Sequence, residues 1–323
     1  DDSGNPRMLT AGDIEYGIKR ACDPETASDY AYILYIIEGC DTVNGGEGSV
    51  DDIAVTAIDD GTLEITTSVS AGFFPQLLMM TTSYASPQWV IEEFGDSWIE
   101  PENIVSNGPF AMAEWVHQDS MQLVKNPYWF GWAEDPRAGN VDILDLTMIS
   151  EESTEFSMYE NDELDHAGVP LDLMSTVFAD GSDYADQGYI YPQNSTYYYG
   201  FVMDKEAVSD PRVRRALSMA VDRVTLVENV LQGGQIPANA LTNPGNFGSP
   251  ALDPEVAPWA LSEDAGGTGY DAAVEMGKEL LAEAGYPDGA GLNLTVAHNV
   301  QEGHAKIAQA IQAMWTAAYP QIQ

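Results

Sequence analysis

Acidic side chains outnumber basic ones by 52 to 12 in this chain, and the resulting formal charge of −40 limits what it can become. Like charges at that density oppose compaction. The sequence can therefore fold only where apolar residues are spaced to bury together, or where salt screens the repulsion. Apolar residues make up 44% of the chain and aromatics 10%, with clear periodicity, which excludes an acidic disordered tail. At molar ionic strength the screening length falls to about 3 Å, so the excess reads as adaptation to high salt. An acidic secreted protein from a moderate marine setting is the alternative. Five lysines and seven arginines, four of them between Arg212 and Arg223, leave no basic surface for phosphates. Nucleic acid and anionic membrane are therefore excluded as partners.

At roughly 150 residues per domain, 323 residues imply two lobes. Thr10 and Asp13 open a helix in capping-box fashion, with Ile14, Ile18 and Ala21 on one face until Pro24. A second helix is expected after Ser28, carrying Tyr30, Ile33 and Ile37 on one side. Apolar alternation from Ile53 to Ile58 and from Leu63 to Val69, around Asp60-Gly61, predicts a hairpin. Ser86-Pro87 predicts a short helix ended by Gly95. Strands are expected at Phe110–Val116, Met121–Lys125, Val141–Ile149, around Tyr189, and at Tyr197–Val202. Short helices are expected near Thr154–Tyr159 and Leu171–Phe178. Asp210-Pro211 starts the clearest helix, with Val213, Ala216, Leu217, Ala220 and Val221 at helical spacing. After a Pro- and Gly-rich connection from Gly233 to Gly269, helix (Asp271–Ala284), strand (Leu292–Ala297) and helix (Glu302–Ala318) alternate.

Cys22 and Cys40 are the only thiols; they either close a short loop, worth about 3 kcal/mol, or stand as two buried free thiols. No run of eighteen apolar residues is present and no signal peptide precedes Asp1, so secretion is an inference. Asn194-Ser195-Thr196 and Asn293-Leu294-Thr295 fit the glycosylation acceptor pattern, one that arises often by chance.

Catalytic signatures are missing. His117, His166, His298 and His304 are scattered, the cysteines are not spaced as a metal or redox pair, and no phosphate-cradling or nucleophile-elbow motif occurs. Among 52 carboxylates some pair falls at glycosidase separation by accident. No metal, no cofactor and no enzymatic activity are expected.

Several runs carry a resemblance in one order along the chain. They are Leu9-Thr10-Ala11-Gly12-Asp13-Ile14-Glu15-Tyr16 with Asp23-Pro24-Glu25-Thr26-Ala27-Ser28, and Ile104-Val105-Ser106-Asn107-Gly108-Pro109-Phe110 with Asn126-Pro127-Tyr128-Trp129. Thr196-Tyr197-Tyr198-Tyr199-Gly200-Phe201, Ser209-Asp210-Pro211-Arg212-Val213-Arg214-Arg215-Ala216-Leu217, Ala220-Val221-Asp222-Arg223 and Leu280 to Gly289 follow. The set resembles the family 5 extracytoplasmic solute-binding proteins, which include the oligopeptide- and dipeptide-binding proteins of ABC importers.

The resemblance implies an α/β, two-lobed periplasmic-binding-protein-like fold of the large peptide-binding type (class II), with a hinge, present in part. Residues 1–85 would form a partial peripheral subdomain of the first lobe, 86–195 its core and 196–323 a partial second lobe, with portions at both ends of the family fold missing. It implies capture of a small solute, most often peptide, and delivery to an ABC transporter permease outside the cytoplasm, in the periplasm or at the cell surface. The membrane would be reached only through the permease or a lipid anchor. Sugars, opines, nickel complexes or haem are other ligands that the resemblance allows. A surface-displayed structural or adhesive protein reusing the fold is the alternative function.

The resemblance also nominates ligand contacts, each with a structural alternative. Tyr197 and Tyr199 share one face of the crossing strand and offer rings and hydroxyls to a cleft wall, or else pack an ordinary sheet. Asn299 follows a strand end, where ligands collect in open α/β sheets. His304 falls in the first turn of a helix, where a neutral imidazole can hydrogen-bond an amide or carboxylate, or else serves the core. Tyr30 matches a tyrosine that reaches the cleft, and equally fits the buried side of its predicted helix. Gly200 stands where peptide binders often carry an acid. Arg212, Arg214 and Arg215 are expected to pair with surrounding carboxylates rather than with ligand.

Overall fold

The computed structural model describes residues 6–134 and 139–323, so the first five residues of the expected first subdomain lie outside the described residues. The chain divides into two compact units, Asp1–Met148 and Ile149–Gln323.

The first unit is built on helix α1, Ala11–Cys22. Its start follows from the predicted capping pair: the Thr10 main-chain N–H donates to the Asp13 carboxylate at 2.8 Å. Strands β1, Val55–Asp59, and β2, Thr62–Ile65, form the predicted hairpin, with Val55 opposite Ile65 and the Gly61 N–H donating to Asp59 at 2.9 Å in the turn. Ile18, Ala21 and Cys22 of α1 bury against Leu34, Ile37, Ile53 and Val55. Glu15 joins helix to sheet, accepting from Lys19 Nζ at 2.7 Å and from the Ala57 N–H at 2.8 Å. Helix α2, Cys40–Asn44, begins at the residue whose sulfur is bonded to Cys22, so the disulfide alternative is the one realised.

The helix expected after Ser28 is reduced to one 3₁₀ turn, Ala31–Leu34. The next residues pair instead with a distant segment: the Ser68 N–H donates to the Ile36 carbonyl at 2.9 Å and the Glu38 N–H to the Thr66 carbonyl at 3.0 Å. Two consecutive β-branched residues, Ile36 and Ile37, favour that extended pairing over a helical turn.

Helix α3, Gln88–Phe94, ends at Gly95 as expected, but its cap is Pro87. Ser86 is occupied elsewhere, its N–H donating to the Asp13 carbonyl at 3.1 Å. Gly17 makes this approach possible, because a Cβ there would collide with the Tyr84 carbonyl oxygen. A second sheet follows, antiparallel in the order β3 (Phe110–Val116), β4 (Ser120–Lys125), β5 (Ile143–Thr147), with Met121 opposite both Trp115 and Leu146. The Asn126-Pro127-Tyr128-Trp129 run closes its edge. The Asn126 amide donates to the carbonyls of Ser106 and Gly108 at 3.2 and 2.9 Å, and Trp132 Nε1 donates to the Asn126 carbonyl at 2.6 Å.

The second unit is helical in its regular elements. Helix α4 is Glu152–Glu160, and a 3₁₀ turn (Leu171–Leu173) leads into a helical turn (Met174–Val177) as the sequence predicts. Helices α5 (Pro211–Met219), α6 (Tyr270–Glu283) and α7 (Glu302–Ala318) enclose the core formed by Val213, Ala216, Leu217, Leu281, Leu292 and Tyr319. Asp210 caps α5 by accepting from the Arg212 N–H at 2.8 Å. Gly277 lets α6 pass directly over the Tyr319 hydroxyl, which donates to the Ala216 carbonyl at 2.7 Å.

Three expected strands, around Tyr189, at Tyr197–Val202 and at Leu292–Ala297, are not strands among the described residues. Alternation alone does not make a ladder; a strand needs a hydrogen-bonded neighbour, and the first two form no such pairing among the described residues. Leu292 and Leu294 come nearest, exchanging hydrogen bonds of 2.9 and 2.7 Å with Gln323. The arginines also depart from expectation. Of Arg212, Arg214 and Arg215, only Arg212 forms an ion pair among the described residues, with Asp210 at 2.6 Å. Arg214 donates to the carbonyls of Val208 and Ser209, and Arg215 lies over the Trp259 ring at 5.4 Å. Helix ends expose carbonyls that accept from a guanidinium as readily as a carboxylate does.

Candidate functional site

Four of the five nominated residues meet in the second unit. The residues preceding α5 run extended past the start of α7. Tyr197 and Tyr199, two positions apart, point their rings to one side with centroids 5.8 Å apart and nearly perpendicular, while Tyr198 turns away and is exposed. The Tyr197 ring is 5.1 Å from the imidazole of His304, the third residue of α7. His304 Nδ1 hydrogen-bonds to Asn299 Oδ1. Asn299 in turn accepts from the Gln301 main-chain N–H at 3.3 Å, a turn that precedes the helix and fixes the amide.

The wall so formed is aromatic and polar, and incompletely satisfied. Tyr197 and Asn299 are exposed and Tyr199 and His304 half-buried, yet the Tyr199 hydroxyl is itself shielded and has no hydrogen-bond partner. A buried donor left unpaired costs about 1–3 kcal/mol, so such a group marks strain or a place for a ligand. Burial pushes the Tyr199 phenol well above its ordinary range, and a contact with the Tyr197 hydroxyl, too poorly aligned to count as a well-formed hydrogen bond, acts in the same direction. The group is therefore a donor that does not ionise near neutral pH.

Tyr30 lies in the first unit. The helix that would have buried it is absent, and the ring is 55% exposed beside Tyr32, at 6.1 Å. Gly200 places no side chain next to the tyrosines. Among the described residues no group of three or more His, Cys, Asp or Glu side chains could hold a metal, and no helix is long and apolar enough to cross a membrane.

Two features, one in each unit, escape sequence reading. Gln301 anchors Asn299 through a main-chain N–H, with its side-chain oxygen accepting from the Asn299 amide at 3.4 Å, and side-chain type does not reveal the main-chain half of that contact. In the first unit Trp115 Nε1 is buried without a partner, its ring 3.9 Å from that of His117, which bonds Glu100 at 3.2 Å. Alternation along β3 could have placed Trp115 inward, but not its missing acceptor.

The chain is similar to known proteins over nearly its whole length. It is 34% identical to the oligopeptide-binding protein OppA of Bacillus subtilis, over 97% of this chain and 55% of that protein. It is 32% identical to the periplasmic oligopeptide-binding protein OppA of Escherichia coli, over 95% of this chain and 54% of that protein. The solved structure of the Escherichia coli murein tripeptide binding protein MppA superposes with a TM-score of 0.85 at 28% identity, covering 98% of this chain and 59% of that one. The chain thus spans about half the length of the curated relatives it matches, and over that part it has their fold. The family model for bacterial extracellular solute-binding proteins, family 5 (middle), matches residues 4–318. Family, order of motifs and fold agree: the chain belongs to the bacterial extracellular solute-binding proteins of family 5.

Proposed function

We propose that this chain forms the major part of the ligand-capturing component of an ABC importer and that its ligand is a small peptide. The observation that carries the reading is the wall of Tyr197, Tyr199, Asn299 and His304, which holds aromatic faces, polar side chains and a shielded hydroxyl without a well-formed hydrogen bond. Rings supply apolar contact at little entropic cost, and neutral donors and acceptors suit a peptide main chain. Relatives named as oligopeptide-binding proteins support the same ligand class.

In this reading residues 1–195 belong to one lobe and 196–323 to the other, and closure about the crossing near Tyr197 retains the ligand. Tyr30, exposed in the first unit, is a separate aromatic candidate for ligand contact. Capture is followed by release to a membrane permease, outside the cytoplasm, with no chemical turnover. Calorimetry of the full-length protein in molar salt against a pool of two- to five-residue peptides tests this. Saturable heat with unchanged peptides on recovery is the expected result, and absence of heat with every pool overturns it.

A further inference from the structure

Within the unit Ile149–Gln323, the start of α7 is fastened to the segment that opens the unit, by groups that take no part in the wall. The Glu302 carboxylate accepts from the Ser153 hydroxyl at 3.0 Å and from the Ser153 main-chain N–H at 3.3 Å. That N–H is one of the free donors in the first turn of α4, whose own N-cap residue, Glu151, makes no side-chain cap bond. Glu302 therefore caps, from 149 positions away, a helix that does not cap itself. One turn further along α7, Lys306 Nζ meets Asp172 Oδ2 at 2.6 Å. Between these contacts lies Gly303, buried, where an added Cβ would stand 3.5 Å from Leu171 Cδ1.

Glu302 and Lys306 are four positions apart and share one side of α7, while His304, between them, turns to the other side, toward Tyr197. Both partners of each contact belong to the chain, so neither contact needs a ligand. The capture reading puts residues 149–195 in the first lobe and 196–323 in the second; each contact then joins one lobe to the other. A compact unit that begins at Ile149 draws on both, which is what docking of the two segments produces.

We propose that Glu302 and Lys306 are positioning residues that fasten α7 to residues 149–173 once the lobes close, and so set how long a captured ligand is held without touching it. The inference rests on the capture reading above and adds a closing contact to it. Salt does not remove this contact. At molar ionic strength the screening length of about 3 Å suppresses repulsion between distant carboxylates of this −40 chain, whereas a pair at 2.6 Å keeps part of its attraction. An exposed ion pair and a carboxylate at a helix start are each modest, and their combined loss should release ligand about three- to tenfold faster. Association, which proceeds from the open state, should change little.

The test compares the full-length protein in molar salt with the double variant Glu302→Gln, Lys306→Gln. Spin labels on Glu163→Cys and Glu279→Cys, both exposed positions, report the separation of the two segments by double electron–electron resonance, with the Cys22–Cys40 bond left oxidised. The variant should lose short-distance population. Stopped-flow with a dansyl-labelled pool of short peptides should show faster release at unchanged association rate and unchanged melting temperature. Asp172→Lys and Lys306→Asp should each speed release, and the two together should restore it, a rescue that a merely structural role would not give. Unchanged distances and release rates overturn the proposal, whether or not the melting temperature falls, and leave peptide capture standing. If no peptide pool binds, the capture reading falls, and the distances in the ligand-free protein decide the latch: a shift in the variant keeps it, and no shift overturns it.

Discussion

Opening the Cys22–Cys40 bond should cost the first unit about 3 kcal/mol. The bridge spans 18 positions, and closing a loop of that length removes about 11 cal/mol/K from the unfolded chain. Both cysteines are fully buried beside Ile18, Leu34 and Ile37, so the reduced protein keeps the same atoms in the same core and the loss falls on the unfolded state. For a unit of this size, Asp1–Met148, each kcal/mol shifts the melting temperature by about 2–4 °C, so a fall of about 10 °C is expected. Substituting Cys22→Ala with Cys40→Ala should cost about 1 kcal/mol more per site, because a buried sulfur is removed as well. The assay is calorimetric melting of oxidised protein and of protein refolded under reductant, with thiols counted by alkylation and mass. The loss should also appear as faster amide exchange at Ile18, Leu34 and Val55. An unchanged melting temperature with both thiols demonstrably free would refute the loop-entropy argument. A large loss in the alanine pair without one in the reduced protein would move the stabilisation from loop closure to packing.

Other perturbations address the remaining structure. Gly277→Ala should destabilise the second unit by about 2–3 kcal/mol, since its methyl meets the Tyr319 hydroxyl bonded to Ala216. In a Tyr319→Phe background the same substitution should cost at least about 1 kcal/mol less, and an additive double-mutant cycle would exclude the collision. Burial works to raise the Glu15 carboxyl, but the bonds from Lys19 and the Ala57 N–H outweigh it and hold the group below its ordinary 4.5. Its contribution is therefore present above that pH and lost as pH falls through the lower folded value. Denaturant titrations should show Glu15→Gln less stable than wild type by under about 1 kcal/mol near pH 6, with the gap closing toward pH 3; a gap that widens in acid contradicts the sign. Finally, with a formal charge of −40, the melting temperature should climb between about 0.1 and 3 M sodium chloride as repulsion is screened. A flat or falling curve would remove the high-salt reading.

What the sequence made legible was local. The capping pair Thr10–Asp13, the turn at Asp60-Gly61, the Asp210-Pro211 start and the bounds of α7 each depend on residues within a few positions of one another, and each forms as expected. The misses depend on partners far along the chain. Ile36 to Glu38 leave the helical path because residues 66–68 offer main-chain bonds about thirty positions away. Tyr197–Val202 has the alternation of a strand, but a strand is a relation between two segments, and no second segment among the described residues accepts it. The arginine cluster was misjudged for the same reason: helical spacing showed which residues were near, not that exposed carbonyls at Val208 and Ser209 would take the guanidinium of Arg214. The cysteines were undecided because pairing depends on whether α1 and α2 are brought to one core, and apolar pattern alone does not say so.

The site divides along a similar line, but more instructively. Its residue types were readable, because two tyrosines two positions apart on an extended segment share a face, and a histidine in the first turn of a helix faces the same way as the residues just before it. Its polarity was not. The His304 imidazole bonds Asn299, and Asn299 in turn accepts from a main-chain N–H at Gln301 that every residue except proline would supply. A pattern of side-chain types can register tyrosine, asparagine and histidine and still be blind to that third member. A chain with the same four residues at this wall but proline at position 301 would therefore lose the main-chain bond that holds the Asn299 amide, although its pattern of side-chain types at the wall reads the same.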